Sequence, residues 1–306
     1  MKNEKQFELH KKINGPKWYL RPIEMVGAWI FAGPFGTKTK IKKINCEGLK
    51  PPYIILSNHA SFVDFAHNTL AMKKDRSSWV ASVDEFIGIR AWLFSKAKVI
   101  PKRKFTNDIQ LVKKVIDATK NKKICMTIYP EARFSLAGVN EDIGTALGKL
   151  AKKCKVPVVV VNQKGNFLRS PQWCKHPYRD IPVICNFTQV VTKEEVLNLS
   201  AEEIQTRIEE AFVYDDYKYQ LNNNIMITEK YRAEKINKIL YQCPHCLTEH
   251  KMESSGSEVY CTECGKRWNL NENGTLSAIN GDTEFSHVPD WYRWEREEVK
   301  KEIEAI

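Results

Sequence analysis

The feature of this sequence that most limits the possible fold is an alternation of short apolar runs with longer helix-like stretches. The apolar runs are rich in β-branched residues and lie at 53–57, 98–101, 123–130 and 156–163, with helical candidates near 62–73, 84–97, 106–121 and 143–153. This alternation predicts an α/β domain with a central, largely parallel sheet flanked by helices. In such sheets, functional residues collect at the strand ends and in the loops that follow.

We predict four segments along the chain. Residues 1–43 form an N-terminal segment, 44–220 the α/β domain, 221–240 a connecting helix, and 241–306 a small ribbon with a C-terminal helix. The last helix of the α/β domain is predicted to begin at a capping box formed by Ser200 and Glu203.

Charge and hydropathy limit the partners. The 48 Lys and Arg against 37 Asp and Glu give a net charge of +11, which favours nucleic acid, anionic lipid surfaces or acidic carrier proteins as partners. The N-terminus lacks a secretory signal, so we expect the protein to stay in the cytosol.

The apolar run Met25–Gly36 has 12 residues, whereas a membrane-spanning helix needs about 20. Aromatic residues from Trp18 to Phe31, flanked by lysines and arginine, suit a membrane interface and equally suit the edge of the core.

Four of the nine cysteines form two CxxC pairs with 14 residues between them, namely Cys243, Cys246, Cys261 and Cys264. Two such pairs supply the four thiolates of a tetrahedral site, so the spacing predicts a structural zinc ion in a zinc ribbon. A redox role is the alternative, which the paired spacing disfavours. The other five cysteines are scattered and are typical of small buried residues in a reducing compartment.

A candidate catalytic pair lies in the stretch LSNHASFVDF, where His59 and Asp64 stand five positions apart. On an ideal helix this spacing turns about 140°, so the two side chains meet only if His59 precedes the helix and Asp64 lies near its first turn. Asp64 would then orient the imidazole and leave its other nitrogen free to take a proton. Because no GxSxG sequence surrounds Ser61, the pattern favours general-base activation of a substrate hydroxyl.

A metal site of His59, Asp64 and His67 is the alternative interpretation. His67 falls on an apolar helical face, where a packed histidine is the more common outcome.

Two charged blocks also follow predicted strands. The stretch IYPEARFS places Glu131 and Arg133 at a strand end, where a fixed guanidinium suits bidentate recognition of phosphate. The stretch KAKVIPKRK places Lys102, Arg103 and Lys104 at the end of another strand. The alternative for Arg133 is a surface ion pair with Glu141 or Asp142.

In their order, these blocks and the later VPVVVV run resemble the glycerolipid acyltransferases of the 1-acylglycerol-3-phosphate acyltransferase type, over roughly residues 40–215. The resemblance implies transfer of a fatty acyl group from an acyl-ACP or acyl-CoA thioester to the free hydroxyl of lysophosphatidic acid, giving phosphatidic acid. It implies that His59 is the base and Asp64 its orienting partner, and that catalysis needs no cofactor.

The resemblance further implies that Glu131, Arg133 and the 102–104 cluster hold the glycerol phosphate. We expect a cytoplasmic protein, peripheral on the inner face of the cell membrane. The third block reads Glu-Ala-Arg-Phe-Ser where the family usually has Glu-Gly-Thr-Arg-Ser, and Val160 stands where a second proline is usual. These departures leave the acceptor open, and glycerol 3-phosphate or another lysolipid is the alternative.

Two further alternatives belong to other classes of protein. One is a lipid-binding scaffold without turnover, against which the intact His59 and Asp64 argue. The other is a zinc-ribbon module that binds nucleic acid or protein. Residues 243–268 hold three basic residues against four glutamates, which disfavours a nucleic-acid clamp.

Overall fold

The computed structural model describes residues 16–32, 39–103, 108–176 and 179–305. Its central element is a seven-stranded sheet with the order β1-β7-β6-β2-β5-β3-β4. The strands are β1 Lys40–Ile44, β2 Ile54–Ser57, β3 Ser77–Ser82, β4 Ile100–Lys102, β5 Cys125–Ile128, β6 Val158–Lys164 and β7 Ile184–Val191. Neighbouring strands from β6 to β4 pair in parallel, whereas β7 is antiparallel to β6 and carries β1 alongside it.

Helices cover both faces of this sheet, which confirms the predicted α/β class. They are α1 Arg21–Ala32, α2 Asp64–Met72, α3 Gly88–Ala97, α4 Ile109–Ile116, α5 Leu147–Cys154, α6 Asn166–Arg169, α7 Lys193–Asn198, α8 Ala201–Ala211 and α9 Asp216–Asn222. The central strands β2, β5 and β6 are mainly apolar because both of their faces are covered. Ile54 and Leu56 of β2 enter the core on one face, and Ile55 enters the core on the other.

Helix α1 lies against α2 through Ala28, Ala32 and Ala66, whose small side chains allow close approach. Arg21 fixes its start by donating to the carbonyl oxygens of Thr69 and Lys73, both at 2.9 Å. The outer side of α1 exposes large apolar side chains. None of the described helices is long and apolar enough to span a membrane.

The C-terminal region forms a second, antiparallel sheet with the order β11-β10-β9-β8 and a long helix. Its elements are β8 Met252–Ser255, β9 Glu258–Cys261, β10 Arg267–Leu270, β11 Leu276–Ala278 and α10 Val288–Glu304. The turn after β10 lies so close to α9 that a Cβ at Gly274 would collide with Gln220.

The ribbon and the α/β domain share one hydrophobic core. On the ribbon side it contains Cys243, Met252, Trp268 and Trp291, and on the other side it contains Ala60, Val139 and Phe167. The latter residues follow β2, β5 and β6, so the ribbon packs at the carboxyl edge of the parallel strands. The predicted ribbon is therefore an integral part of the molecule.

Two predicted segment bounds differ from the structure. Strand β1 crosses the predicted boundary at residues 43 and 44. The predicted connecting helix at 221–240 is wrong, because only the end of α9 and a short 3-10 helix, Ile236–Lys238, lie in that range. The backbone N–H groups of Ile227 and Ala233 instead donate to ribbon carbonyls, at Glu272 and Gly256, and so are not available to a helix.

Candidate functional site

The structure brings His59 and Asp64 together at the carboxyl end of β2. His59 lies in the turn after the strand and Asp64 is the first residue of α2. The Nδ1 atom of His59 is 2.8 Å from Oδ2 of Asp64. The same oxygen accepts hydrogen bonds from the backbone N–H groups of Ala60 at 2.8 Å and Ser61 at 3.0 Å. The carboxylate therefore fixes both the imidazole and the turn that carries it.

Asp64 is fully buried, and its second oxygen is also occupied. Oδ1 accepts from the Nδ2 amide of Asn166 at 2.5 Å, and the Asp64 carbonyl accepts from the Gln163 side chain at 3.1 Å. Sequence reasoning missed Asn166 and Gln163. The signal that could have found them is the polar run that ends the apolar strand β6, since polar residues at such an end face the same edge of the sheet as His59.

Two aromatic rings enclose the imidazole. The ring of Tyr129 stacks on the His59 ring with centroids 4.1 Å apart. The ring of Phe134 packs on the other face of His59, with centroids 3.9 Å apart. The His59 side chain is 22% exposed. Within the described ranges, no protein group bonds to its Nε2 atom, so this nitrogen is available to a substrate hydroxyl.

Glu131 connects the His59 turn with the loop that follows β5. Its Oε2 atom accepts from the backbone N–H of His59 at 3.0 Å, and its Oε1 atom accepts from the N–H of Glu141 and the hydroxyl of Tyr214, both at 2.9 Å. Burial raises the pKa of Glu131 to about 7. Both carboxylate oxygens of Glu131 thus bind protein groups. Tyr214 is a further site residue that sequence reasoning missed.

Arg133 lies on the same loop and contacts Glu141. Its Nη2 atom is 2.6 Å from Oε2 of Glu141, which is the ion pair considered as an alternative for this arginine. The Arg133 side chain nevertheless remains 48% exposed. Glu141 also contacts Arg296 of α10, 155 residues away in sequence, a contact for which no local pattern gave a signal.

The predicted basic cluster lies farther along the same edge of the sheet. Lys102 ends β4, and Arg103 follows with its Nε atom 3.7 Å from Asp108. Lys104 lies outside the described residues. Since β3 separates β4 from β5 and neighbouring strands are about 4.8 Å apart, this cluster is roughly 10 Å from the β5 loop.

His67 does not join His59 and Asp64. It is fully buried, its Nδ1 atom is 3.3 Å from the Thr39 hydroxyl, and burial lowers its pKa to about 4. In the part of the chain that the structure describes, the arrangement that could hold a metal ion is elsewhere, in the ribbon. His67 is therefore a packed, uncharged histidine.

The four ribbon cysteines converge. Their Sγ atoms all lie within 4.8 Å of one another, and two of the separations, Cys243 to Cys264 and Cys246 to Cys261, are 3.7 Å. A tetrahedral zinc ion about 2.3 Å from each sulfur separates the sulfurs by about 3.8 Å, so the cluster fits this ion. His245 turns away toward Glu284, at 3.3 Å.

Comparisons with known proteins match the α/β part of the chain. Residues 37–164 match the family model described as Acyltransferase, and this segment contains His59, Asp64, Glu131 and Arg133. No curated protein matches the chain in sequence. Among solved structures, the chain is similar to the 1-acyl-sn-glycerophosphate (LPA) acyltransferase PlsC from Thermotoga maritima. That match has 19% identity and a TM-score of 0.48, and it covers 63% of this chain and 76% of that one.

Proposed function

We propose that this chain, whose residues 37–164 match the acyltransferase family model, transfers a fatty acyl group to the free hydroxyl of lysophosphatidic acid, giving phosphatidic acid. The family match confirms the expectation of an O-acyltransferase. The observation that carries the finer proposal is the His59–Asp64 pair, with Nδ1 bound to the buried carboxylate and Nε2 without a protein partner among the described residues.

The pair acts on the acceptor hydroxyl. The Nε2 atom of His59 takes the hydroxyl proton while the oxygen attacks the thioester carbonyl carbon. The new C–O bond forms, the C–S bond breaks, and the proton passes from the imidazolium to the departing thiolate. Asp64 stabilises the imidazolium between these steps. Tyr129 and Phe134 hold the ring between them, which restricts its orientation during both proton transfers.

Arg133 is proposed to bind the acceptor phosphate. It is half exposed, and it lies beside Phe134, whose ring contacts His59. A guanidinium presents a planar fork of N–H groups that matches phosphate oxygens. Lys102 and Arg103 add positive charge along the same edge. Glu131 contributes indirectly, because its carboxylate holds the loop of Arg133 against the His59 turn.

The proposed place of reaction is a membrane surface, on the inner face of the cell membrane. Helix α1 and the preceding turn expose Trp18, Ile23, Val26 and Trp29, and α3 exposes a second apolar group that includes Trp92. Lipid interfaces accommodate such aromatic and aliphatic side chains, and the net charge of +11 favours anionic headgroups. The same charge suits either proposed acyl donor, because acyl carrier protein is acidic and coenzyme A carries phosphates.

The ribbon is proposed to hold a structural zinc ion through Cys243, Cys246, Cys261 and Cys264, whose sulfur separations fit a tetrahedral ion. When bound, the ion would cross-link the two CxxC turns and would take no part in acyl transfer. Catalysis by the His59–Asp64 pair needs no cofactor.

An acyl-transfer assay with defined substrates tests the proposal. The purified chain is mixed with acyl-ACP or acyl-CoA and, in separate reactions, with lysophosphatidic acid, glycerol 3-phosphate or lysophosphatidylcholine in detergent micelles. Mass spectrometry identifies the product. We expect phosphatidic acid from lysophosphatidic acid, with one of the two thioesters preferred. If the enzyme acylates only glycerol 3-phosphate or lysophosphatidylcholine, that compound is the acceptor and lysophosphatidic acid is not. If the chain acylates no acceptor and instead binds nucleic acid in a salt-dependent way, the proposal is refuted.

A further inference from the structure

Arg296 of the C-terminal helix meets Arg133 on a single carboxylate. Oε2 of Glu141 is 2.6 Å from Nη2 of Arg133 and 2.5 Å from Nη1 of Arg296. The Glu141 side chain is 6% exposed, whereas the two arginine side chains are 48% and 46% exposed. The carboxylate therefore lies beneath two guanidinium groups that face solvent side by side.

The net charge of Arg133, Glu141 and Arg296 determines how strongly this group attracts a phosphate. Paired with Glu141 alone, Arg133 would form a neutral unit with little attraction for an anion. Arg296 gives the group a net charge of +1. Each guanidinium carries five N–H donors, and its contact with Glu141 leaves several of them for a ligand. Two such forks side by side match the several oxygens of a phosphate monoester.

Contacts with the ribbon hold helix α10, and with it Arg296, in place. Trp291 is fully buried against Trp268, with ring centroids 4.8 Å apart, and its Nε1 atom donates to the Gln242 carbonyl at 3.0 Å. Glu295 accepts from the Gln242 N–H at 2.8 Å. Gln242 directly precedes the first zinc-ligand candidate, so the ribbon fixes the helix turn that carries Arg296.

The pair of guanidinium groups is also linked to the candidate base. Glu131 binds the N–H groups of both His59 and Glu141, so one side chain ties the base to the carboxylate beneath the arginines. Tyr292 adds a contact from α10, with its hydroxyl 3.5 Å from Oε1 of Glu141.

We infer that Arg296 is a second acceptor-binding residue, so that the phosphate of the acceptor lies between Arg133 and Arg296 and the C-terminal region completes the acceptor site. The inference rests on the proposed function, in which the acceptor is a phosphate monoester. It gives the ribbon a role beyond stability, because the ribbon positions a residue that the substrate touches.

Kinetics of Arg296→Ala test this inference. We expect KM for lysophosphatidic acid to rise about tenfold, while KM for the thioester and kcat at saturation stay within about twofold of the wild type. Arg296→Lys should recover part of the loss, because it restores the charge but not the fork. The matched control is Arg293→Ala, which removes an arginine of the same helix that pairs with Asp290 at 2.8 Å. An unchanged KM for lysophosphatidic acid, or an equal rise for the thioester, would overturn the inference.

A binding measurement separates failure of this inference from failure of the proposed function. If the wild-type chain acylates no lysophosphatidic acid, the proposed function fails, yet the anion site is still tested by a ³¹P NMR titration with glycerol 3-phosphate. Weaker binding to Arg296→Ala than to Arg293→Ala supports the site. Equal binding to both variants overturns it. Melting temperatures of the two variants show whether the fold is retained.

Discussion

Replacing Asp64 by asparagine separates the two tasks of this carboxylate, which are to hold the turn and to stabilise protonated His59. Oδ2 faces three donors, the His59 Nδ1–H and the backbone N–H groups of Ala60 and Ser61. Oδ1 meets the Asn166 amide, whose own buried oxygen accepts no hydrogen bond from the residues that the structure describes. An asparagine can therefore keep its oxygen toward the turn and direct its NH₂ toward Asn166, whose amide rotates to accept.

The expected loss is then electrostatic. The geometry and tautomer of His59 are retained, but the negative charge beside the imidazolium is gone. Unit charges about 4 Å apart interact by about 4 kcal/mol at the effective dielectric constant of about 20 that describes partly buried pairs. Since about 1.4 kcal/mol corresponds to a factor of ten, we expect Asp64→Asn to lower kcat about 10³-fold.

The assay is steady-state acyl transfer with both substrates saturating, together with thermal unfolding. Asp64→Asn should melt close to the wild type. Asp64→Ala should melt lower, because it leaves buried N–H groups without an acceptor, at about 1–3 kcal/mol for each. If Asp64→Asn keeps its stability and loses less than about tenfold in kcat, Asp64 only shapes the turn, and the reasoning is refuted.

Three further predictions concern the supports of the site. At pH 8.5, above the raised pKa of Glu131 of about 7, Glu131→Gln should lower the free energy of unfolding measured with urea by about 1–3 kcal/mol, because the glutamine NH₂ must face a backbone N–H that the carboxylate accepts; an unchanged value would contradict the contacts of this residue. Cys243→Ser should release zinc and lower the melting temperature of the whole chain in one transition, because the two parts share a core; calorimetry showing a separate ribbon transition would contradict this. Hydrogen bonds to Asp215 and Asp290 outweigh the burial of His287 and raise its pKa above 6.5, so its contribution to stability is present below pH 6.5 and is lost as the pH rises through the raised value. His287→Gln should remove this dependence in urea titrations at pH 5.5–8.5, and an unaltered pH profile would contradict it.

The parts of the fold that the sequence predicted are those with a strong local pattern. Strands β2, β5 and β6 are mainly apolar runs, with polar residues at the end of β6, because both of their faces are covered. Strand β7 was missed because only every second residue is buried, and β1 was missed because four of its five positions are exposed. The capping box of Ser200 and Glu203 was predicted correctly, since it is formed within four residues of chain.

In the candidate site, too, the contacts formed within a short stretch of chain could be predicted, whereas the long-range contacts could not. His59 and Asp64 could be paired from the sequence because a single turn between strand and helix determines their meeting. The contacts of Glu131 with Tyr214, and of Glu141 with Arg296, join segments 83 and 155 residues apart and depend on tertiary packing. The predicted helix at 221–240 failed for the same reason, since the ribbon takes its backbone donors.

The most direct test of the central claim is acyl transfer by His59→Ala beside His176→Ala, a matched variant of a half-exposed histidine that pairs with Glu234 at 2.7 Å. We expect His176→Ala to form phosphatidic acid at the wild-type rate. We expect His59→Ala to form none while it keeps its zinc and its melting temperature. Substantial turnover by a folded His59→Ala variant would contradict the claim that this histidine is the general base.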